Sequence, residues 1–151
     1  MVSPELLRRY PFFSGLDEER LVFLAKATQE GSVAAGEYFF RDGDTLNNLY
    51  ILMDGEVAIT ATLPTKGREI VLSTISPGEV FAWSALVPPY QATSAAKATS
   101  PCRVIALDCA PLRARFDEDC ALGYVMMTRL AQVMRDRIRA MRMETIACLA
   151  D

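Results

Sequence analysis

The spacing of apolar positions divides the chain into three stretches, each with its own period. Residues 4–9 predict a short helix with Pro4 in its first turn, where no amide is needed. Ser14-Gly15 breaks the chain, and Asp17-Glu18-Glu19 caps a second helix in which Leu21, Leu24, Ala25 and Thr28 recur at helical spacing. Phe12 and Phe13 are read as packing this helix pair onto the body. From Val33 to Leu107 the period is that of strands, with runs at 37–41, 48–53, 56–62, 68–74 and 102–107. The turn signals between them, Asp42-Gly43, Asp54-Gly55, Lys66-Gly67 and Pro77-Gly78, recur about every 11 to 12 residues, as in an all-β sandwich or barrel. After Asp108 the helical period returns, in a short segment at 111–116 and then in a long run from about Glu118 to Leu149. Asp117, Glu118 and Asp119 favour the start of that run by their charge against the helix dipole.

Two apolar stripes run along the long helix. One carries Leu122, Met126 and Val133. The other carries Met127, Leu130, Met134, Ile138, Met141, Thr145 and Cys148 at steps of three and four. So long a helix exceeds what one small barrel can cover, so Met127, Leu130, Met134, Ile138 and Met141 are expected to face the same helix of a second subunit. Arg129, Arg135, Arg137, Arg139 and Arg142 are read as a solvated face, with Asp136 and Glu144 interleaved.

Composition narrows the chemistry. At 151 residues with 51% apolar content, the chain is one domain with enough apolar surface for a core. A net charge of −3 gives no basic face for a phosphate backbone, so this chain alone is not expected to bind nucleic acid. The absence of histidine removes His-based triads, His-ligated zinc and haem, and the metal oxygenases built on similar barrels. No enzyme activity, metal or cofactor is expected. Cys102, Cys109, Cys120 and Cys148 form no Cys-x-x-Cys pair and are read as small buried thiols in a reducing cytoplasm. No apolar run approaches ~18 residues, and no leader pattern opens the chain, so a soluble cytoplasmic protein without a membrane partner is expected.

The segment from Ser76 to Ala96 holds the only tryptophan, Trp83, among small residues between turn signals. It is too apolar for an ordinary loop and too interrupted for a plain strand, and it reads as the wall of a pocket.

Phe12-Phe13-Ser14-Gly15-Leu16, Gly36-Glu37 with Gly43-Asp44, Leu49-Tyr50-Ile51, Gly55-Glu56-Val57 and Pro77-Gly78-Glu79-Val80-Phe81 follow one another in a fixed order. In that order they resemble the cyclic nucleotide-binding domain of the catabolite activator family over essentially the whole chain. The resemblance implies a mainly β fold with flanking helices: a double-stranded β-helix, or jelly-roll, barrel with short N-terminal helices and a long C-terminal helix. Residues 1–117 would form the β-roll with its lead-in helices, and 118–151 the dimerisation helix. The chain leaves no room near Asp151 for a helix-turn-helix reader, so output is expected through a downstream protein or a longer chain.

The family's phosphate-binding cassette has a Gly-Glu pair, a short helical turn, and Arg-Ser/Thr-Ala about ten positions after the Glu. There the Glu accepts from the ribose hydroxyl and the Arg pairs with the cyclic phosphate. Register from Gly78-Glu79 puts the pair at Ala82-Trp83 and the triplet at Thr93-Ser94-Ala95. The frame is present without its charged groups. Weak or no binding of cyclic AMP and cyclic GMP is therefore expected, with the ligand otherwise unknown. Lys97, about 13 Å from Thr93 at ~3.3 Å per residue, is expected at the pocket's far end or in solvent. Ligand contacts are expected from Gly78, Glu79, Phe81, Ala82, Trp83, Ser84, Ala85, Thr93, Ser94 and Ala95, approached by Met134 or Ile138. Trp83 has two open readings: stacking on a planar ligand in a sensor, or collapse into the vacated pocket in a dimeric interaction module.

Overall fold

The computed structural model describes residues 1–150. Helix α1 (Pro4–Arg8) is capped by the Ser3 hydroxyl, and α2 (Glu18–Lys26) by Asp17, which accepts from the Arg20 amide. A 3-10 turn, Pro11–Phe13, joins them, and Phe12 and Phe13 meet edge to face within the core. Thr28 does not continue α2. It opens β1 (Thr28–Val33), because its buried hydroxyl donates to the Ala25 carbonyl and accepts from the Val2 amide, closing the helix end.

The β region continues through β2 (Tyr38–Phe40), β3 (Asn48–Asp54), β4 (Val57–Thr62), β5 (Glu69–Ile75), β6 (Val80–Phe81), β7 (Ala95–Ala98) and β8 (Cys102–Asp108). These form two four-stranded antiparallel sheets, ordered β1-β8-β3-β6 and β2-β7-β4-β5, matching the jelly-roll of the resemblance. Leu49, Ile51 and Leu52 of β3, Val57 of β4, Ile75 of β5, and Ile105 and Leu107 of β8 are almost fully buried in the core. At the β3–β4 turn Gly55 sits at φ +99°, and an added Cβ there would run into the Pro101 carbonyl, so only glycine closes this corner.

The closing helices are α3 (Cys109–Glu118) and α4 (Cys120–Ala150). Asp117 and Glu118 end α3 rather than start α4; Asp119 alone caps α4, accepting from the Leu122 amide at 3.1 Å. Asp119 also receives Arg20 of α2 at 2.9 and 3.0 Å, which fixes the bend between the two helices and holds its carboxyl below the usual aspartate range.

Leu122, Met126 and Leu130, four residues apart, form the buried stripe of α4. Leu130 therefore packs on the body instead of a partner, since successive steps of four turn the stripe by about 40° each and carry it across the face of α4 that meets the core. Met127, Val133 and Met134 pack against the same core from its edge. Beyond it, Ile138, Met143, Ile146 and Leu149 are exposed.

Two of the cysteines also depart from expectation. Cys102 and Cys109 are buried, and burial pushes the Cys109 thiol up to about 11. Cys120 and Cys148 are exposed, at the first turn of α4 and on its free far portion. None of the described helices is long and apolar enough to cross a membrane.

Candidate functional site

The segment around Trp83 is held from beneath. Phe81 of β6 stacks on Tyr50 at 5.2 Å and meets Phe39 edge-on at 5.0 Å, which pins the strand leading into it. Ala82 then takes a left-handed conformation, φ 67° and ψ 34°, and Trp83–Leu86 make a 3-10 turn. Alanine adopts that conformation at a cost of roughly 1–2 kcal/mol, which glycine would not incur. Arg113 of α3 donates to the Ala85 carbonyl at 2.6 and 2.9 Å and to the Leu46 carbonyl at 2.9 Å, and its guanidinium lies 3.8 Å from the Tyr90 ring centroid. Nothing in the sequence marks Arg113 as the clamp, since its partners are carbonyls brought near only by folding.

A cavity of about 190 Å³ opens between this turn, the inner face of β4 and β5, and α4. Phe81, Ala82, Trp83, Ser84, Thr93 and Ser94 line it, together with Phe40, Leu46, Ile59, Leu72, Ile75 and Ala92. Trp83 is half-buried and leaves space far larger than one water, so it does not collapse into the pocket.

The remaining expected residues lie elsewhere. Ala85 is fully buried beneath the turn. Ala95 and Lys97 lie on the opposite face of β7 from the buried Ala96 and Ala98. Lys97 is 3.8 Å from Glu69, whose carboxyl is held below its usual range chiefly by the Tyr38 hydroxyl at 2.5 Å. Gly78 and Glu79 border a neighbouring open groove with Pro11, Phe12 and Arg129. Met134 and Ile138 flank a separate groove on the outer side of α4.

From α4 it is Arg137 and Met141 that reach the cavity. Arg137 is no solvated arginine: its side chain is 20% exposed, and it donates to Glu79 Oε2 at 3.2 Å and to the Thr74 carbonyl at 3.4 Å. Arg129 likewise donates to the Ser14 carbonyl at 2.8 Å, tying α4 to the N-terminal turn. Among the described residues no three His, Cys, Asp or Glu side chains converge as a metal site requires.

The profile described as "Cyclic nucleotide-binding domain" matches residues 30–119, which run from within β1 through the rest of both sheets, the Trp83–Leu86 turn and α3. The chain belongs to the cyclic nucleotide-binding domain family. This domain is 27% identical over 131 residues to a CRP-like cAMP-activated global transcriptional regulator of Mycobacterium tuberculosis, covering 87% of the chain and 58% of the regulator. It thus spans little more than half the length of that relative. A candidate cyclic nucleotide-binding protein of Geobacter metallireducens GS-15 superposes with a TM-score of 0.82 at 34% identity, over 91% of this chain and 99% of the other. The N-terminal domain of a Streptomyces coelicolor transcriptional regulator gives 0.69 at 28% identity, over 90% and 94%. Ala82, which the resemblance puts at the glycine of the cassette's Gly-Glu pair, has the left-handed backbone that glycine adopts without strain.

Proposed function

We propose that this domain is a non-enzymatic ligand sensor of regulatory type, whose cavity takes a small molecule other than cyclic AMP or cyclic GMP. The observation that carries the reading is the open cavity beneath Trp83, whose wall presents Trp83 and Thr93 where the resemblance would put the ribose-binding carboxylate and the phosphate-pairing arginine. Each lost charge-assisted bond is worth about 1.5–3 kcal/mol, so the pair removes roughly a hundredfold or more in affinity. Volume acts in the same direction, because pockets for ligands of that size usually span about 300–1,000 Å³.

Output is proposed to pass through α4, which lines the cavity with Arg137 and Met141 and then presents Ile138, Ile146 and Leu149 outward. That exposed seam supports a homodimer, and regulation of a downstream protein in the cytoplasm. The relatives described as transcriptional regulators support the regulatory reading.

Calorimetry with cyclic AMP and cyclic GMP tests the ligand assignment. Affinities weaker than about 100 μM are expected for the unmodified domain, with measurable binding restored by the double change Trp83→Glu and Thr93→Arg. Low-micromolar binding to the unmodified domain would defeat it.

A further inference from the structure

Arg137 lines two depressions at once, the cavity beneath Trp83 and the open groove beside it. Its carboxylate partner Glu79 lines only the groove. The guanidinium has five N–H donors and stays protonated, and the bonds to Glu79 and Thr74 use two of them. Among the described residues the cavity wall carries no acidic side chain, so Arg137 is the one charge they present to it. Being 20% exposed, that charge is screened less than a surface arginine's.

The rest of the wall sets the body of the occupant. Trp83 and Phe81 offer aromatic surface, Ile59 and Leu72 aliphatic surface, and Ser84 and Thr93 hydroxyls. Ser84 is 8% exposed and places its hydroxyl-bearing side chain on the cavity wall. A dry cavity near 150 Å³ accommodates benzene, so about 190 Å³ accommodates one ring with a small polar substituent. A doubly charged phosphate would share the guanidinium with Glu79 at greater repulsion than a single negative charge.

We infer that the cavity selects a small monocarboxylate with a flat apolar body, its carboxylate paired with Arg137 and its ring against Trp83. This rests on reading the cavity as a ligand site, and it names the chemistry that site selects. Trp83, the only tryptophan, reports occupancy directly.

The test titrates the purified protein with benzoate and with its neutral isostere benzamide, following Trp83 fluorescence and calorimetry. Benzoate is expected to bind at least about tenfold tighter, the worth of one charge-assisted bond. Arg137→Gln should bring benzoate down to the benzamide level, and Glu79→Gln, which removes the competing carboxylate, should tighten benzoate alone. Benzamide binding as well as benzoate, or an unchanged ratio in either variant, overturns the carboxylate assignment while leaving a ligand site in place. If neither compound perturbs Trp83 at about 10 mM, the inference falls. The ligand-site reading is then judged separately, by a mass spectrum of small molecules released from the denatured protein.

Discussion

Replacing Trp83 with alanine separates a sensor from a collapsed interaction module. A tryptophan packed on all sides loses about 3–5 kcal/mol on truncation, from lost transfer energy and from the cavity left behind. Trp83 is half-buried and one side already faces about 190 Å³ of open space, so that side has no packing contacts to lose. We expect roughly half the full figure, about 1.5–2.5 kcal/mol. At this chain length each kcal/mol moves the melting temperature by about 2–4 °C, giving a drop of about 3–10 °C. The variant has no tryptophan, so urea unfolding must be followed by far-UV circular dichroism, at one protein concentration because association would shift the midpoint. A loss of about 4 kcal/mol or more would mean that the indole is enclosed in solution. The cavity argument would then fail, and the helical seam would become the working surface.

Two further outcomes follow from α4. Ile138 and Leu149 lie about three turns apart on one side of the helix, both exposed, and changing both to Glu should convert dimers to monomers by light scattering; an unchanged mass would remove the seam from the dimer. The Asp119 carboxyl, lowered chiefly by its bond to Arg20, contributes stability that is present above the unfolded pKa of about 3.9 and is lost as pH falls through the lower folded value. The destabilisation caused by Asp119→Asn should therefore shrink below about pH 4, and a difference constant from pH 7 to pH 3 would refute the ion pair's role.

Much of the fold is local and therefore visible in the chain. The turns at Gly43, Gly55, Gly67 and Gly78 all place glycine at positive φ, a requirement of the backbone that no distant contact creates. Three strands between these turns, and β2 and β8 outside them, carry enough β-branched and aromatic residues to be read directly. That the segment after Pro77-Gly78-Glu79 walls a pocket was also legible, because small residues between turn signals surround its one tryptophan, and Ala82, Trp83, Thr93 and Ser94 line the cavity.

Tertiary structure decided the rest. Strand β7, Ala95–Ala98, has almost no intrinsic strand preference and exists because β2 and β4 pair with it on either side. Strand β1 is an exposed edge whose polar residues show no alternation, and β8, far along the chain, supplies its partner. Helical spacing alone could not say where the body ends along α4, so Leu130 was indistinguishable from a partner-facing residue. Arg137 is the sharpest case: its partners Glu79 and Thr74 lie 58 and 63 residues away. In sequence it is one arginine among five on a polar helix face, and only the packing of α4 across the β-roll makes it the single charge that the described residues bring to the cavity wall.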